Sequence, residues 1–247
     1  MQKGILKSTS ALMAILFVVF SFNSYGQDIV KIRNQNFTSY FSKSQHIPVL
    51  VVYSLTPDMF NCIKMKGENG IKLDTDPQLP EITDLKDDYI NGYTLFDNAQ
   101  MMAPEENTCD KDAFVESFYF TNVMPMPKDL YKDLWQKLQE KEIVKAKKFK
   151  KVKVFAGTVG RNWVMGKNHN VIVPEWAWKV IYIPSTDEYL CYQFHNIQPS
   201  KPDYNPTNAK DNLANHKVDI NAIESLAGVH FVNGVISASY VTVTPNN

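Results

Sequence analysis

The sequence has few cysteines, few glycines and no net charge. Its 247 residues include 3 Cys and 10 Gly, and 26 basic side chains balance 26 acidic ones. Three cysteines are too few for a disulfide scaffold, and with 44% hydrophobic residues the composition excludes collagen-like, coiled-coil and disordered chains. A neutral chain has little general attraction to polyanions, so any binding of nucleic acid would depend on a local basic patch.

The chain also lacks an apolar run long enough to span a membrane. Near its start, two lysines precede a run of about 12 apolar residues, from Ala11 to Phe22, whereas a spanning helix needs roughly 20. Small residues then follow at Ser24 and Gly26. This order predicts a secretory signal peptide over residues 1–26, cleaved near Gly26, and hence a secreted or periplasmic protein. We expect no membrane span in the mature chain.

Residues 27–247 are predicted to form a single domain of net charge −2, because the signal peptide would remove two lysines and no acid. Secretion would place the three cysteines in an oxidising compartment. Cys62 and Cys109 lie in loop-like sequence, whereas Cys191 lies in a strand pattern. The sequence therefore favours a Cys62–Cys109 disulfide and one buried thiol, while other pairings and an intermolecular bridge stay open.

The hydrophobic pattern predicts a mixed α/β domain. Strands rich in β-branched and aromatic residues are expected at residues 47–55, 114–123, 152–159, 170–173, 176–183 and 189–194. The segments over residues 57–94 and 197–216 hold many turn residues and are expected to be surface connections.

Two helices are also predicted. Leu130, Leu134 and Leu138 repeat at helical spacing, which indicates an amphipathic helix over residues 128–141. Later, Asp219 is a good N-cap residue and is followed by an apolar helical pattern, which Gly228 would end.

Four segments carry a resemblance to a known family. The first runs from Phe118 to Pro125 and leads into Leu130, Trp135 and Leu138; the others cover residues 154–159, 173–180 and 218–231. In this order and spacing they resemble the DNA/RNA non-specific endonucleases, which are secreted or organellar nucleases of the ββα-metal, or His-Me finger, class. The resemblance implies a mixed α+β fold, with a central antiparallel sheet flanked by helices and a ββα finger-like core. It also implies Mg²⁺-dependent hydrolysis of DNA or RNA phosphodiester bonds.

The catalytic motif departs from the family pattern. Family members carry Asp-Arg-Gly-His shortly before Ala-Pro, and that His takes a proton from the attacking water near neutral pH. If Asp97 matches the family's Asp, the His position falls on Gln100; if Ala103-Pro104 sets the register, it falls on Met101. Neither side chain accepts a proton at neutral pH. The five histidines all lie outside this motif, at His46, His169, His195, His216 and His230.

The metal-site positions depart as well. The resemblance places the family's metal-binding Asn at Tyr131 and its supporting Glu at Gln139. Asn122 matches a family Asn that assists the site, although it could equally cap or bridge a strand and a helix. We therefore expect a catalytically degenerate member with no cofactor, and Mg²⁺ only if activity is retained. Asp97 with Asp110 and Asp112 is the carboxylate set available for a substitute metal site, but no base accompanies it.

A lysine-rich segment over residues 145–153 is the exception to the neutral charge. Lys147, Lys148, Lys150 and Lys151 are the candidate nucleic-acid contacts, and a solvated surface is the alternative. Three functions stay open: a degenerate nuclease that binds DNA, RNA or another ligand without cutting, an active Mg²⁺-dependent endonuclease with a rearranged site, and a protein-binding module or antagonist of an active relative. The oligomeric state is not fixed by the sequence.

Overall fold

The computed structural model describes residues 28–62, 71–82, 85–90, 95–167, 171–197 and 212–239. The predicted signal peptide lies outside these residues. Within the described ranges, no helix is both long and apolar enough to cross a membrane.

A seven-stranded sheet forms the centre of the fold, with strand order β1-β2-β3-β6-β9-β10-β11 and antiparallel pairing throughout. Its strands are β1 Ile29–Arg33, β2 Phe37–Ser42, β3 Ile47–Leu55, β6 Val152–Val159, β9 Trp176–Ile183, β10 Glu188–His195 and β11 Lys217–Val218. The inner strands are rich in Val, Ile and aromatic residues, which pack well on a pleated surface. Strands β3, β6 and β9 have the predicted bounds.

The remaining strands form three two-stranded ladders, and helices cover the sheet. The ladders pair β4 Phe96–Gln100 with β5 Val123–Pro127, β7 Trp163–Met165 with β8 Val171–Val173, and β12 Val229–Val232 with β13 Val235–Ala238. The helices are α1 Leu85–Ile90, α2 Lys111–Glu116, α3 over residues 128–149 and α4 Ile220–Ala227, and short 3-10 turns lie at Pro57–Met59, Pro80–Ile82, Pro104–Asn107, Phe120–Asn122 and Leu213–His216. The predicted mixed α+β class is confirmed.

The predicted strand over residues 114–123 is wrong. A helix, α2, occupies its first part because Asp110 caps it: the Asp110 carboxylate accepts hydrogen bonds of 2.9 Å from two backbone N–H groups of the first turn. A 3-10 turn at Phe120–Asn122 follows, and the strand begins only at Val123. Local capping therefore outweighs the strand preference of the aromatic side chains in this segment.

Helix α3 is longer than predicted. It begins at Lys128, makes a π-helical turn at Tyr131–Trp135 and continues as α-helix to Phe149. Lys, Glu, Gln and Ala, which dominate its second half, are good helix formers, so the helix extends through the lysine-rich segment. It ends at Lys150, whose backbone is left-handed with φ 69°.

The inner strands of the sheet are buried on both faces. Val51 and Leu55 point into the core under α3, while Leu50, Phe155 and Trp178 point into the core under α4 and β12–β13. Gly157 is required for this packing, because a Cβ there would lie 2.2 Å from the Trp178 ring.

The cysteines follow the pattern that the sequence favoured. Cys62 and Cys109 form a disulfide. Cys191 is a buried free thiol on β10, and burial raises its pKa to about 12, so it is not a reactive thiolate.

Candidate functional site

Strands β4 and β5 and the first half of α3 form a ββα unit, which we call the finger. The two strands pair antiparallel, with Gln100 opposite Val123 at the end where β4 leaves the ladder. The chain enters α3 directly from Pro127, the last residue of β5. This order brings the end of β4 against the first turns of α3.

Three predicted site residues meet in the finger: Gln100, Tyr131 and Gln139. The Tyr131 hydroxyl donates to Gln100 Oε1 at 2.9 Å, and Gln139 Nε2 donates to the Gln100 carbonyl at 2.9 Å. Trp135 Nε1 donates to the same carbonyl, also at 2.9 Å. We call Gln100, Tyr131 and Gln139 the finger trio. Gln100 and Gln139 are 8% and 5% exposed, so the trio makes its hydrogen bonds within the protein rather than with solvent.

Tyr131 is the one ionisable member of the finger trio. Burial, assisted by the negative charges of Glu105 and Asp97, raises its pKa to about 12. At neutral pH its hydroxyl is therefore protonated and acts as a donor, as the bond to Gln100 requires. Neither an amide nor this phenol can take a proton from water at neutral pH.

The two alternatives for the family's His position fall in different surroundings. Gln100 faces α3 as a member of the finger trio. Met101 is fully buried in the core under α3, and its backbone N–H donates to the Asn122 carbonyl at 2.7 Å. The structure therefore groups Gln100, rather than Met101, with the two predicted metal-site positions.

Asn122 is fully buried and uses its whole amide to hold the loop after β4. Its Nδ2 donates to the carbonyls of Met102 and Ser117, each at 2.8 Å, and its Oδ1 accepts from the Met102 N–H at 3.0 Å. All of these hydrogen bonds go to backbone groups. Asn122 therefore bridges the loop after β4 and the end of α2, in keeping with the structural role that the sequence left open beside a role in the site.

The finger residues do not fit the metal that the resemblance implies. Protein-bound Mg²⁺ is held through one or two carboxylates together with waters. The finger trio has no carboxylate, and Gln100 Oε1 already accepts the Tyr131 hydroxyl. Nor do Asp97, Asp110 and Asp112 form the substitute site: among the described residues no three His, Cys, Asp or Glu side chains are grouped so as to hold a metal, and Asp110 caps α2.

A charged network lies buried directly beneath the finger. Lys179, on β9, donates to Glu142 Oε1 on α3 at 2.8 Å, and both side chains are fully buried. The Tyr53 hydroxyl donates to Glu142 Oε2 at 2.5 Å. Lys179 Nζ also lies 4.7 Å from the centre of the Trp135 ring, so the network touches the residue that binds the Gln100 carbonyl.

Glu106 completes this network as a buried acid. Its Oε2 accepts the Ala103 N–H at 2.8 Å, whereas Oε1 has no hydrogen-bond partner among the described residues. Burial, followed by the negative charge of Glu142, raises the pKa of Glu106 well above its usual range. Sequence reasoning missed this network, although Lys179 was visible as a single charge within an otherwise apolar strand.

The candidate lysines follow the finger trio along α3, and Lys147 is 8 positions, or about 12 Å, beyond Gln139. Tyr131 and Lys147 are 16 positions apart on α3, which is about 24 Å along a helix that rises about 1.5 Å per residue. Lys147 Nζ lies 5.7 Å from the centre of the Phe60 ring, and Lys148 Nζ lies 4.9 Å from that of Phe149. Lys150 ends the helix and Lys151 precedes β6, so the lysines form a separate surface at the C-terminal end of α3.

Two of the histidines have partners outside the finger. His195 stacks on Trp176 with ring centres 4.4 Å apart, and His230 lies 2.9 Å from Glu224. His169 lies outside the described residues.

Comparison with known proteins places the chain in a family. A family model described as DNA/RNA non-specific endonuclease matches residues 17–238. Among solved structures, the chain is similar to one in the EndoG/EndoGI complex, a crystal structure on the mechanism of EndoG inhibition, with a TM-score of 0.69, 18% identity, and coverage of 93% of this chain and 94% of that chain. At this identity the likeness shows a shared fold. The search of curated proteins gave no match. Because the family match spans most of its length, the chain belongs to the DNA/RNA non-specific endonuclease family.

Proposed function

We propose that the chain is a catalytically degenerate DNA/RNA non-specific endonuclease that binds nucleic acid without hydrolysing it. The observation that carries the proposal is the finger trio. Gln100, Tyr131 and Gln139 stand where the family resemblance expects a base, a metal ligand and a supporting carboxylate, and they bind one another instead.

The chemistry of the finger trio supports the loss of hydrolysis. A general base works best with a pKa near the operating pH, as His has. Gln100 is neutral, and the raised pKa of Tyr131 keeps its proton in place at neutral pH. None of the three residues of the finger trio supplies a carboxylate for Mg²⁺.

A plasmid digestion tests this part of the proposal. Supercoiled plasmid is incubated with a large excess of the protein and Mg²⁺ or Mn²⁺, with an EDTA control. We expect the plasmid to stay supercoiled in every condition. Nicking that EDTA abolishes would instead identify an active endonuclease with a rearranged site.

Retained binding rests on the lysines at the end of α3. Lys147, Lys148, Lys150 and Lys151 are exposed, so phosphate contact would require little rearrangement. We expect salt-sensitive binding of DNA or RNA that is abolished when all four become Ala. A variant with Lys132 and Lys137 changed to Ala, which removes exposed lysines from the first half of α3, is the control. Absence of binding at low salt contradicts this part.

Secretion is part of the same proposal. The predicted signal peptide over residues 1–26 supports it, and the test is the N-terminal mass of the protein recovered from the periplasm or medium. A mature chain that begins at Gln27 is expected. Recovery of uncleaved chain from the cytoplasm contradicts secretion.

A protein partner is the second candidate. The similar solved structure comes from a complex concerned with EndoG inhibition, and the chain here has no net charge. A pull-down from the secreted fraction distinguishes the two candidates, because recovery of nucleic acid alone favours the first and stoichiometric recovery of one protein favours the second.

A further inference from the structure

A groove of about 720 Å³ opens on the face of the central sheet that points away from the finger. Residues paired across strands share a face, and Arg33 pairs with Thr38, which pairs with Val52. All three line the groove. Val51, the neighbour of Val52, points the other way, into the core under α3.

Four cations line this groove from its two sides. Lys31 and Arg33 lie on β1, and Lys151 and Lys153 lie at the start of β6. Because β2 and β3 separate β1 from β6, the two pairs stand about 14 Å apart at a strand spacing of about 4.8 Å. No Asp or Glu of the described residues lines the groove, and within that same part of the chain none of the four cations forms a salt bridge.

Lys153 is held in place at one side of the groove. Its Nζ donates to the Gly234 carbonyl at 2.9 Å and lies 5.1 Å from the centre of the Phe155 ring. Burial, followed by the charge of Lys151, lowers the pKa of Lys153. Holding two cations together in partly buried surroundings costs free energy, and a bound anion would recover it.

Neutral polar side chains and an apolar surface complete the groove. Asn34 and Asn36, in the turn after β1, and Thr38, on β2, line it; the two amides also donate to Asp76 and Asn107, and Tyr40 and Val52 contribute apolar surface. The volume lies within the range of about 300–1,000 Å³ that small-molecule sites occupy. Arg and Lys, with amide and hydroxyl groups beside them, are the donors that bind phosphate oxygens.

We propose that this groove binds a ligand that carries several phosphate groups, with phosphates facing both cation pairs. A nucleoside polyphosphate and a short single strand of nucleic acid both offer this chemistry. The proposal does not depend on the chemistry of the finger, since the four cations lie on the opposite face and the groove shares no residue with the finger trio, although Tyr53 of the buried network also lines it.

Charge reversal on β1 tests the groove. The variant Lys31→Glu/Arg33→Glu changes two exposed side chains that are absent from the lysine surface on α3. The control, Lys132→Glu/Lys137→Glu, makes the same charge change on the outer surface of α3. Binding of adenosine triphosphate and of pentathymidylate is measured by calorimetry in EDTA at low salt. We expect the β1 variant to weaken binding about tenfold or more and the control less than about twofold.

The two probes also identify the source of the phosphate. Binding of the triphosphate alone supports a free nucleotide, and binding of the strand alone supports nucleic acid. Failure of both probes to bind, or an equal loss in the control variant, overturns the proposal. Circular dichroism verifies folding, and Lys31→Gln/Arg33→Gln replaces any variant that unfolds. Since no cleavage is read in EDTA, this outcome is distinct from that of the plasmid digestion.

Discussion

The polar groups on the two faces of the central sheet differ in charge and in exposure to solvent. On the finger face, Gln100, Tyr131 and Gln139 are neutral at pH 7 and are closed by mutual hydrogen bonds. On the groove face, cations line an open cavity to which the described residues contribute no carboxylate. The equal numbers of acidic and basic residues in the sequence therefore conceal a strong local separation of charge.

Charge also lies buried beneath the finger. Glu142 and Lys179 pair beneath the finger and join α3 to β9. Glu142 and Lys179 therefore stabilise the finger from inside the protein. The finger trio, which lies at the positions where the resemblance expects the base and the metal site, carries no charge. We infer that the scaffold and the chemistry of this fold depend on separate sets of residues, and four experiments test that separation.

The largest effect is expected from restoring the family's residues to the finger. Gln100→His/Tyr131→Asn/Gln139→Glu supplies a base, an oxygen ligand and a carboxylate. We expect it to bind Mn²⁺, measured by paramagnetic resonance, and to nick plasmid. Tyr131→Asn/Gln139→Glu, which lacks only the base, should bind Mn²⁺ but nick about 10²–10⁴ times more slowly. Equal rates for the two variants would show that position 100 is not the base position.

Removing the Glu142 charge beneath the finger should have the next largest effect. Glu142→Gln leaves Lys179 fully buried without its counter-ion, so we expect the free energy of unfolding to fall by about 3–5 kcal/mol. Guanidinium denaturation at pH 7 measures this. Glu106→Gln, which changes the neighbouring acid but not the ion pair, is the control and should retain most of the stability. A loss of equal size in both variants would contradict the pairing.

Glu106→Gln should also change how stability depends on pH. Because the folded state raises the pKa of Glu106, folding takes up a proton above the unfolded pKa. That stability is fully present below the unfolded value and is lost as pH rises through the folded one, with a slope of at most about 1.4 kcal/mol per pH unit. Denaturation curves between about pH 5 and 8 should be flatter for the variant. Parallel curves would show that Glu106 is ionised in the folded protein.

The smallest effect is expected from the finger trio itself. Tyr131→Phe leaves Gln100 Oε1 without its donor, and we expect a loss of about 1 kcal/mol in the free energy of unfolding. Lys132→Ala, an exposed change one residue away, should lie within about 0.5 kcal/mol of the parent chain. If the two variants are equally stable, the hydroxyl bond does not close the finger.

Much of the fold follows from local patterns. Strands β6 and β9 have their predicted bounds because β-branched and aromatic runs suit buried strands. The segment over residues 114–123 does not form the predicted strand. The Asp110 cap starts a helix there, which the apolar composition of the segment does not indicate. Helix α3 is longer than the leucine repeat predicts because lysine, which is frequent in its second half, is a good helix former.

The sequence alone shows that the finger trio lacks a base and a carboxylate. Whichever register is chosen, Gln100 or Met101 replaces a His, and no spacing of residues can return a base or a carboxylate to those positions. Which side chains come together depends on the tertiary structure. Lys179 reaches Glu142 across 37 positions of sequence, and Arg33 shares a groove with Lys153 because β1 and β6 lie in one sheet. Such contacts depend on the order of strands and the face of each side chain, and a linear sequence does not contain either until the sheet has formed.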